Sequence, residues 1–267
     1  MCGLTGIIFG KKERSLEDYH ELSRLFTSMF ILSEQRGHHA SGVATLNTRG
    51  KASLFKIPVP PTRLVEVEGY NNVLDTLNNN TTILMGHSRW KTVGSEYNNY
   101  NNQPIIAGSI LGTHNGTITN ASSLFARNRF KRKAEVDSEI LFRMADASLI
   151  DGSINATIYK NYIAECHGNL SCVVVSKTDP CNVFLLKGSK PLSLYYNARL
   201  QVIAYSSIDG YIKDSVETDD WVPLIMPENK MYQTCFDDFN NVVADSFSFV
   251  KSIPKHKAKQ TQLFLDF

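Results

Sequence analysis

The chain has 267 residues, of which 42% are hydrophobic and 20% charged, and its formal net charge is +2. That length suits one large domain or two small ones, and the composition is that of a globular protein. The near-neutral balance gives no case for nucleic-acid or membrane binding, and 5 cysteines with no Cys-x-x-Cys pair argue against a zinc site or a disulfide framework.

The chain opens MCGLTGIIFG, and residues 4–9 form an apolar strand. Lys11 to Arg14 make a polar turn. Ser15 is an N-cap with Asp18 three residues on, and Leu16, Tyr19, Leu22, Leu25, Phe26, Met29 and Phe30 recur at helical period until about Gly37. SGVATLN and KASLFKI read as strands joined by an NTRG turn, followed by a helix over 62–77 and a strand, TILMGH, after the asparagine loop at 78–80. IIAGSILGTHNG is a strand pair or a kinked strand, and helices are expected at 120–127, 137–149 and 153–166. From residue 170 the pattern is of strands: LSCVVVS, NVFLLKG, LSLYYN, LQVIAYSS, VPLIM and KMYQTCF. Strands at both ends with helices between predict an α+β fold. No signal peptide and no run of transmembrane length is present, so the expected location is cytoplasmic, with Cys166, Cys172, Cys181 and Cys235 reduced.

Cys2 stands directly behind Met1 and is small enough for Met1 to be removed. The chain would then begin with a thiol and an α-amine on one residue, a nucleophile with its own base, the amine having an ordinary pKa of about 7.7–8.0. The alternative is an incidental cysteine at a strand edge. Four further stretches bear on the choice: EQRGHHASGVA, GHSRWKTVG, GTHNGTITN and EVDSEIL. Each also has a plain structural reading. Arg36-Gly37 could end a helix, Arg89 could be a surface cation, Asn115-Gly116 could be a hairpin turn, and Asp137 could be an N-cap.

Taken together, in order and spacing, the five stretches resemble the class II glutamine amidotransferases, the glutaminase domains of the N-terminal-nucleophile hydrolases. The matching residues are Cys2-Gly3 with its apolar strand, Arg36-Gly37 with Ser41-Gly42, Gly86-His87-Ser88-Arg89-Trp90-Lys91-Thr92, His114-Asn115-Gly116-Thr117-Ile118-Thr119-Asn120, and Asp137-Ser138-Glu139. Departures are Gln35 where histidine is common, Lys91 where alanine is usual, and Val93. Asn101-Asn102-Gln103-Pro104 also differs from the commoner asparagine-x-histidine-proline.

The resemblance implies an αββα four-layer sandwich of two mainly antiparallel sheets. The glutaminase domain is expected over 2–250, with a basic and apolar tail at 251–267. Cys2 is the expected nucleophile, with Asn115 and Gly116 as the oxyanion donors. Arg89 and Asp137 are expected to hold the carboxylate and ammonium of L-glutamine, helped by Trp90, Thr92, Gln103 and His114. Gly3, Arg36 and Gly37 are expected as supports. No metal or other cofactor is needed. Too few residues follow position 210 for a synthase domain, and no phosphate-binding loop appears. A separate synthase subunit is therefore the expected ammonia acceptor, and the tail, with Leu263, Leu265 and Phe267, is either a plug for its own domain or a docking peptide. Other readings are hydrolysis of another γ-glutamyl-type amide, or a catalytically quiet glutamine sensor.

Overall fold

A computed structural model describes residues 1–251. The chain begins with β1 (Gly3–Phe9), whose alternate residues face opposite ways: Ile7 and Phe9 enter one apolar cluster, Leu4 and Ile8 another. Helix α1 (Leu16–Leu32) starts on a full capping box, with the Ser15 side chain accepting from the Asp18 N–H and the Asp18 carboxylate accepting in return. A short 3-10 turn (Ser33–Arg36) ends at Gly37. The hairpin β2 (Ala40–Asn47) and β3 (Ala52–Ile57) follows.

The helix expected over 62–77 is two short ones, α2 (Pro61–Leu64) and α3 (Glu68–Leu74). Val67 between them is extended, and Gly69 comes so close to the Phe55 ring that a Cβ there would lie 2.5 Å from it. Two valines and a glycine placed for that contact do not sustain one long helix. Next come β4 (Thr81–Arg89), the strand pair β5 (Ile105–Ala107) and β6 (Ile110–Ile118), and helices α4 (Ala121–Arg127) and α5 (Glu139–Ala147). A small hairpin, β7 (Leu149–Ile150) and β8 (Ser153–Ile154), precedes α6 (Ala156–Ala164) where the sequence predicted helix from 153.

The remaining described elements are β9 (His167–Ser176), β10 (Asn182–Lys187), β11 (Ser193–Asn197), β12 (Val202–Ser206), α7 (Asp209–Lys213), β13 (Trp221–Leu224), β14 (Lys230–Cys235), β15 (Val243–Ser246) and β16 (Val250–Lys251). One seven-stranded sheet runs β13-β11-β12-β1-β4-β2-β3, and a second runs β15-β14-β10-β9-β6-β5, with β16 beside the start of β9. The pairings are antiparallel except that of β16.

Three apolar clusters give the layers. Leu22, Phe26 and Phe30 of α1 pack on Ile7, Val43 and Leu84 of the first sheet. Phe142 and Tyr159 of α5 and α6 pack on Cys172, Val174 and Phe184 of the second. Leu4, Ile8, Met85, Leu111, Val173 and Leu185 fill the space between the sheets. The order is helices, sheet, sheet, helices, which is the αββα sandwich expected. Cys166 and Cys172 are buried, Cys181 and Cys235 half-buried, and all are free. No helix among the described residues is long and apolar enough to cross a membrane. The expected tail at 251–267 lies outside the described residues save for Lys251 in β16.

Candidate active site

By strand alternation, Cys2 falls on the same side of β1 as Leu4, facing the space between the sheets. Asn115 on β6 shares its side with Leu111 and faces that space from the second sheet. A cavity of about 260 Å³ joins them at the end of the sandwich, lined by Cys2, Trp90, Thr92, Asn115 and Gly116, with Met1, Thr117 and Lys190 completing the wall. Five of the expected site residues thus share one cavity.

The Cys2 thiol lies 3.8 Å from the Trp90 carbonyl, to which it donates. Burial pushes this thiol up; the bond to Trp90, the amino terminus and Arg89 oppose the shift, and Asp137 adds to it. The Asn115 side-chain amide is buried, and its Nδ2 has no hydrogen-bond partner. A buried, unpartnered donor is costly in a folded protein and points to a ligand role. Gly116 has φ +151°, where a Cβ would lie 1.9 Å from the Asn169 carbonyl oxygen, so only glycine fits. Asn115 and Gly116 are therefore not a hairpin turn: they lie inside β6, paired with Ser171 and Leu170 of β9.

The supports are local. Arg36 Nε donates to the Cys2 carbonyl at 2.8 Å, fixing the residue that carries the thiol. A Cβ on Gly3 would lie 2.4 Å from Ser88 Oγ, and one on Gly37 would lie 2.4 Å from the Arg89 carbonyl carbon. Both glycines permit close packing of backbone under the cavity.

Arg89 is buried rather than a surface cation. Its Nη1 donates to Asn102 Oδ1 at 2.8 Å, and its Nη2 to the carbonyls of Val93 and Gly94 at 2.7 and 2.9 Å. It clasps the loop 91–102 and still has two N–H groups in hand. Asp137 is no helix cap: its Oδ2 accepts the Ile118 N–H, at the end of β6. Trp90 is 43% exposed, with its ring edge-on to His38 and His39 at 5.0 and 5.2 Å between centroids.

Two expected substrate contacts lie beneath the cavity instead. Gln103 Oε1 accepts the His114 N–H at 2.6 Å, and its Nε2 donates to the His114 carbonyl at 3.1 Å. The His114 ring lies on the helix side of β6, with Nδ1 2.9 Å from Ser138 Oγ. The reason is the strand period: neighbours face opposite sides, so His114 and Asn115 cannot both enter the cleft. Gln103 and His114 brace the strand that carries Asn115. Lys190 was not foreseen; it sits in the turn between β10 and β11, where no spacing in the sequence links it to Cys2. Among the described residues no His, Cys, Asp and Glu cluster is arranged to hold a metal ion.

No family model matches the chain. A 7-cyano-7-deazaguanine synthase of Saccharolobus solfataricus is 24% identical over 215 residues, covering 79% of this chain and 44% of that protein. A glutamine–fructose-6-phosphate aminotransferase of Staphylococcus epidermidis is 25% identical over 211 residues, 78% of this chain and 32% of that protein. Among solved structures, a glutamine phosphoribosylpyrophosphate amidotransferase from B. subtilis, complexed with ADP and GMP, superposes with a TM-score of 0.67 at 18% identity, over 92% of this chain and 49% of that one. The chain thus spans less than half the length of each of these two curated relatives. The structural likeness bears out the αββα fold.

Proposed function

We propose that the chain carries a class II glutamine amidotransferase domain, as its glutamine–fructose-6-phosphate aminotransferase relatives support, and that this domain hydrolyses the side-chain amide of L-glutamine to glutamate and ammonia through a thioester on Cys2. The observation that carries the reading is the buried Asn115 Nδ2 without a partner, on the inter-sheet face it shares with Cys2. It is a donor held ready for charge that develops only during reaction.

The chemistry follows from the groups present. With Met1 removed, the Cys2 α-amine takes the thiol proton as sulfur attacks the amide carbon. The carbonyl oxygen becomes an oxyanion, to which Asn115 Nδ2 and the Gly116 N–H donate. The C–N bond then breaks, and the amine passes its proton to the leaving nitrogen, releasing ammonia. Water attacks the thioester, giving its proton to the amine. The thiolate leaves, is reprotonated, and glutamate departs. Asp137 receives the substrate ammonium, and Arg89, whose Nη2 is taken by the Val93 and Gly94 carbonyls, offers the substrate carboxylate a single charge-assisted N–H bond. Thr92 and the Trp90 carbonyl line the way in.

The ammonia goes to an acceptor on a separate synthase. Supporting a synthase as the acceptor, one of the relatives that the chain matches is a 7-cyano-7-deazaguanine synthase. The test is ammonia release from L-glutamine, L-asparagine and γ-glutamyl peptides by protein shown by intact mass to lack Met1. Release from glutamine alone is the expected result; preference for another amide, or no release from any, overturns it.

A further inference from the structure

Two cations at the cavity have no part in the steps above. Arg36, besides holding the Cys2 carbonyl, places Nη2 3.8 Å from the Met1 sulfur. Lys190 Nζ lies 3.7 Å from the same sulfur. The Met1 thioether therefore fills the space where both cations approach the start of the chain. Neither Arg36 nor Lys190 has a carboxylate within ion-pair distance among the described residues.

The position of Lys190 is built into the sheet. Its N–H donates to the Leu170 carbonyl at 3.3 Å, that of Gly188 to the same oxygen at 3.1 Å, and Ser171 Oγ donates to the Lys190 carbonyl. Leu170 and Ser171 are the partners of Gly116 and Asn115. The strand pair that sets the oxyanion donors thus also sets the lysine.

We propose that Lys190, together with Arg36, is a positioning residue that keeps the amine uncovered by removal of Met1 in its neutral, proton-accepting form. This rests on the reading of that amine as the base for Cys2. An ammonium flanked by two cations is disfavoured, and the free amine is what the first proton transfer requires. Among the charged groups, the Cys2 thiol, Arg36 and Lys190 act on the Met1 ammonium that occupies this end of the cavity. Arg89 and Asp137 act on the thiol. For the Met1 ammonium, one residue out from the Cys2 amine, burial lowers the pKa most, and Arg36 and Lys190 lower it further against the opposing pull of the Cys2 thiol; Arg36 also holds the Cys2 carbonyl at 2.8 Å.

The experiment titrates the amine directly. Protein grown with 13C,15N-cysteine and freed of Met1 by aminopeptidase, checked by intact mass, is titrated by following the Cys2 13Cα resonance with pH. Lys190→Met and Lys190→Gln should raise the titration midpoint by about one pH unit, as expected for loss of one nearby like charge, while Lys190→Arg restores it. In unlabelled protein, the pH midpoint of Cys2 alkylation by iodoacetamide should move the same way. An unmoved midpoint in both neutral variants overturns the proposal, as does a chain that keeps Met1 after aminopeptidase. If the Lys190 variants shift the midpoint but the parent releases no ammonia from glutamine, the proposed function falls and the effect of Lys190 and Arg36 on the amine stands.

Discussion

Arg89 Nη1 donates to Asn102 Oδ1 at 2.8 Å, so the last residue of β4 holds the far end of the loop that it begins. Asn102 returns into the loop, its Nδ2 donating to the Glu96 carbonyl at 2.6 Å and to Asn99 Oδ1 at 2.9 Å. The loop 91–102 is thus folded about one guanidinium. Arg89→Lys keeps the charge, but an ammonium cannot reproduce a planar fork that reaches two carbonyls and an amide at once. The KM for glutamine should rise at least tenfold, with faster proteolysis between 91 and 102. An unchanged KM would place the carboxylate site elsewhere.

Asn115→Ala separates catalysis from stability. Loss of one oxyanion donor costs about 10²–10³ in kcat. Since Nδ2 has no partner in the folded chain, its removal should leave the melting temperature unchanged or raise it. Gly116→Ala should do the reverse on stability: a backbone at φ +151° costs an alanine about 1–3 kcal/mol, before the clash of its Cβ with the Asn169 carbonyl. Cys2→Ala should abolish turnover with the fold intact. Kinetics and thermal melts on the three variants check the pattern, and a large loss of stability in Asn115→Ala would refute the idle-donor reading.

Much of this site was legible because its chemistry is carried by short motifs. Cys2-Gly3, Arg89 and Asn115-Gly116 are recognisable as strings, and the Ser15 to Asp18 capping box forms as its sequence says. What was not legible depends on which side of a strand a residue takes and on contacts far along the chain. His114 and Gln103 share the motif region with Asn115, yet strand alternation and backbone pairing turn them into braces. Lys190 reaches the wall of the Cys2 cavity only because β9 pairs with β6 and the turn after β10 folds onto Leu170. Helix α7, five residues with Gly210 inside it, carries too little periodicity to be foreseen, and its Asp209–Lys213 ion pair is a weak local signal.

His87 predicts an acid sensitivity. It is fully buried, with Nε2 3.3 Å from the His114 carbonyl and Nδ1 unpartnered, and burial above all pushes it down to about 3. In the unfolded chain its pKa is about 6.5. Above that value it is neutral in both states and costs nothing. As the pH falls below about 6.5 only the unfolded state takes the proton, so stability drops by up to roughly 1.4 kcal/mol per pH unit until the folded value is reached. His87→Gln keeps a donor for the His114 carbonyl and removes the titration. Denaturant melts from pH 7 to 4.5 should therefore fall less steeply in His87→Gln than in the parent. Parallel curves would show that His87 is not the group responsible.

Glu135 predicts how the loop over the cavity is kept in place. Its Oε2 accepts from Asn101 Nδ2 at 2.7 Å and from the Ser95 N–H at 3.1 Å, while its own N–H donates to Asn101 Oδ1 at 2.7 Å. Arg89 holds the loop from the first sheet, and Glu135 holds it from the segment leading into α5. The loop leaves Val93, Tyr97 and Tyr100 58%, 80% and 62% exposed, so apolar packing on the core does little to hold it and these polar bonds carry that task. Glu135→Ala removes both carboxylate bonds but touches neither Cys2 nor Asn115. The expected outcome is a several-fold rise in KM for glutamine, little change in kcat at saturation, and faster amide hydrogen exchange confined to 94–101. Glu135→Gln, which keeps one acceptor oxygen, should fall between parent and alanine. A fall in kcat with KM unchanged would mean that the loop acts on the chemical step and not on holding the substrate.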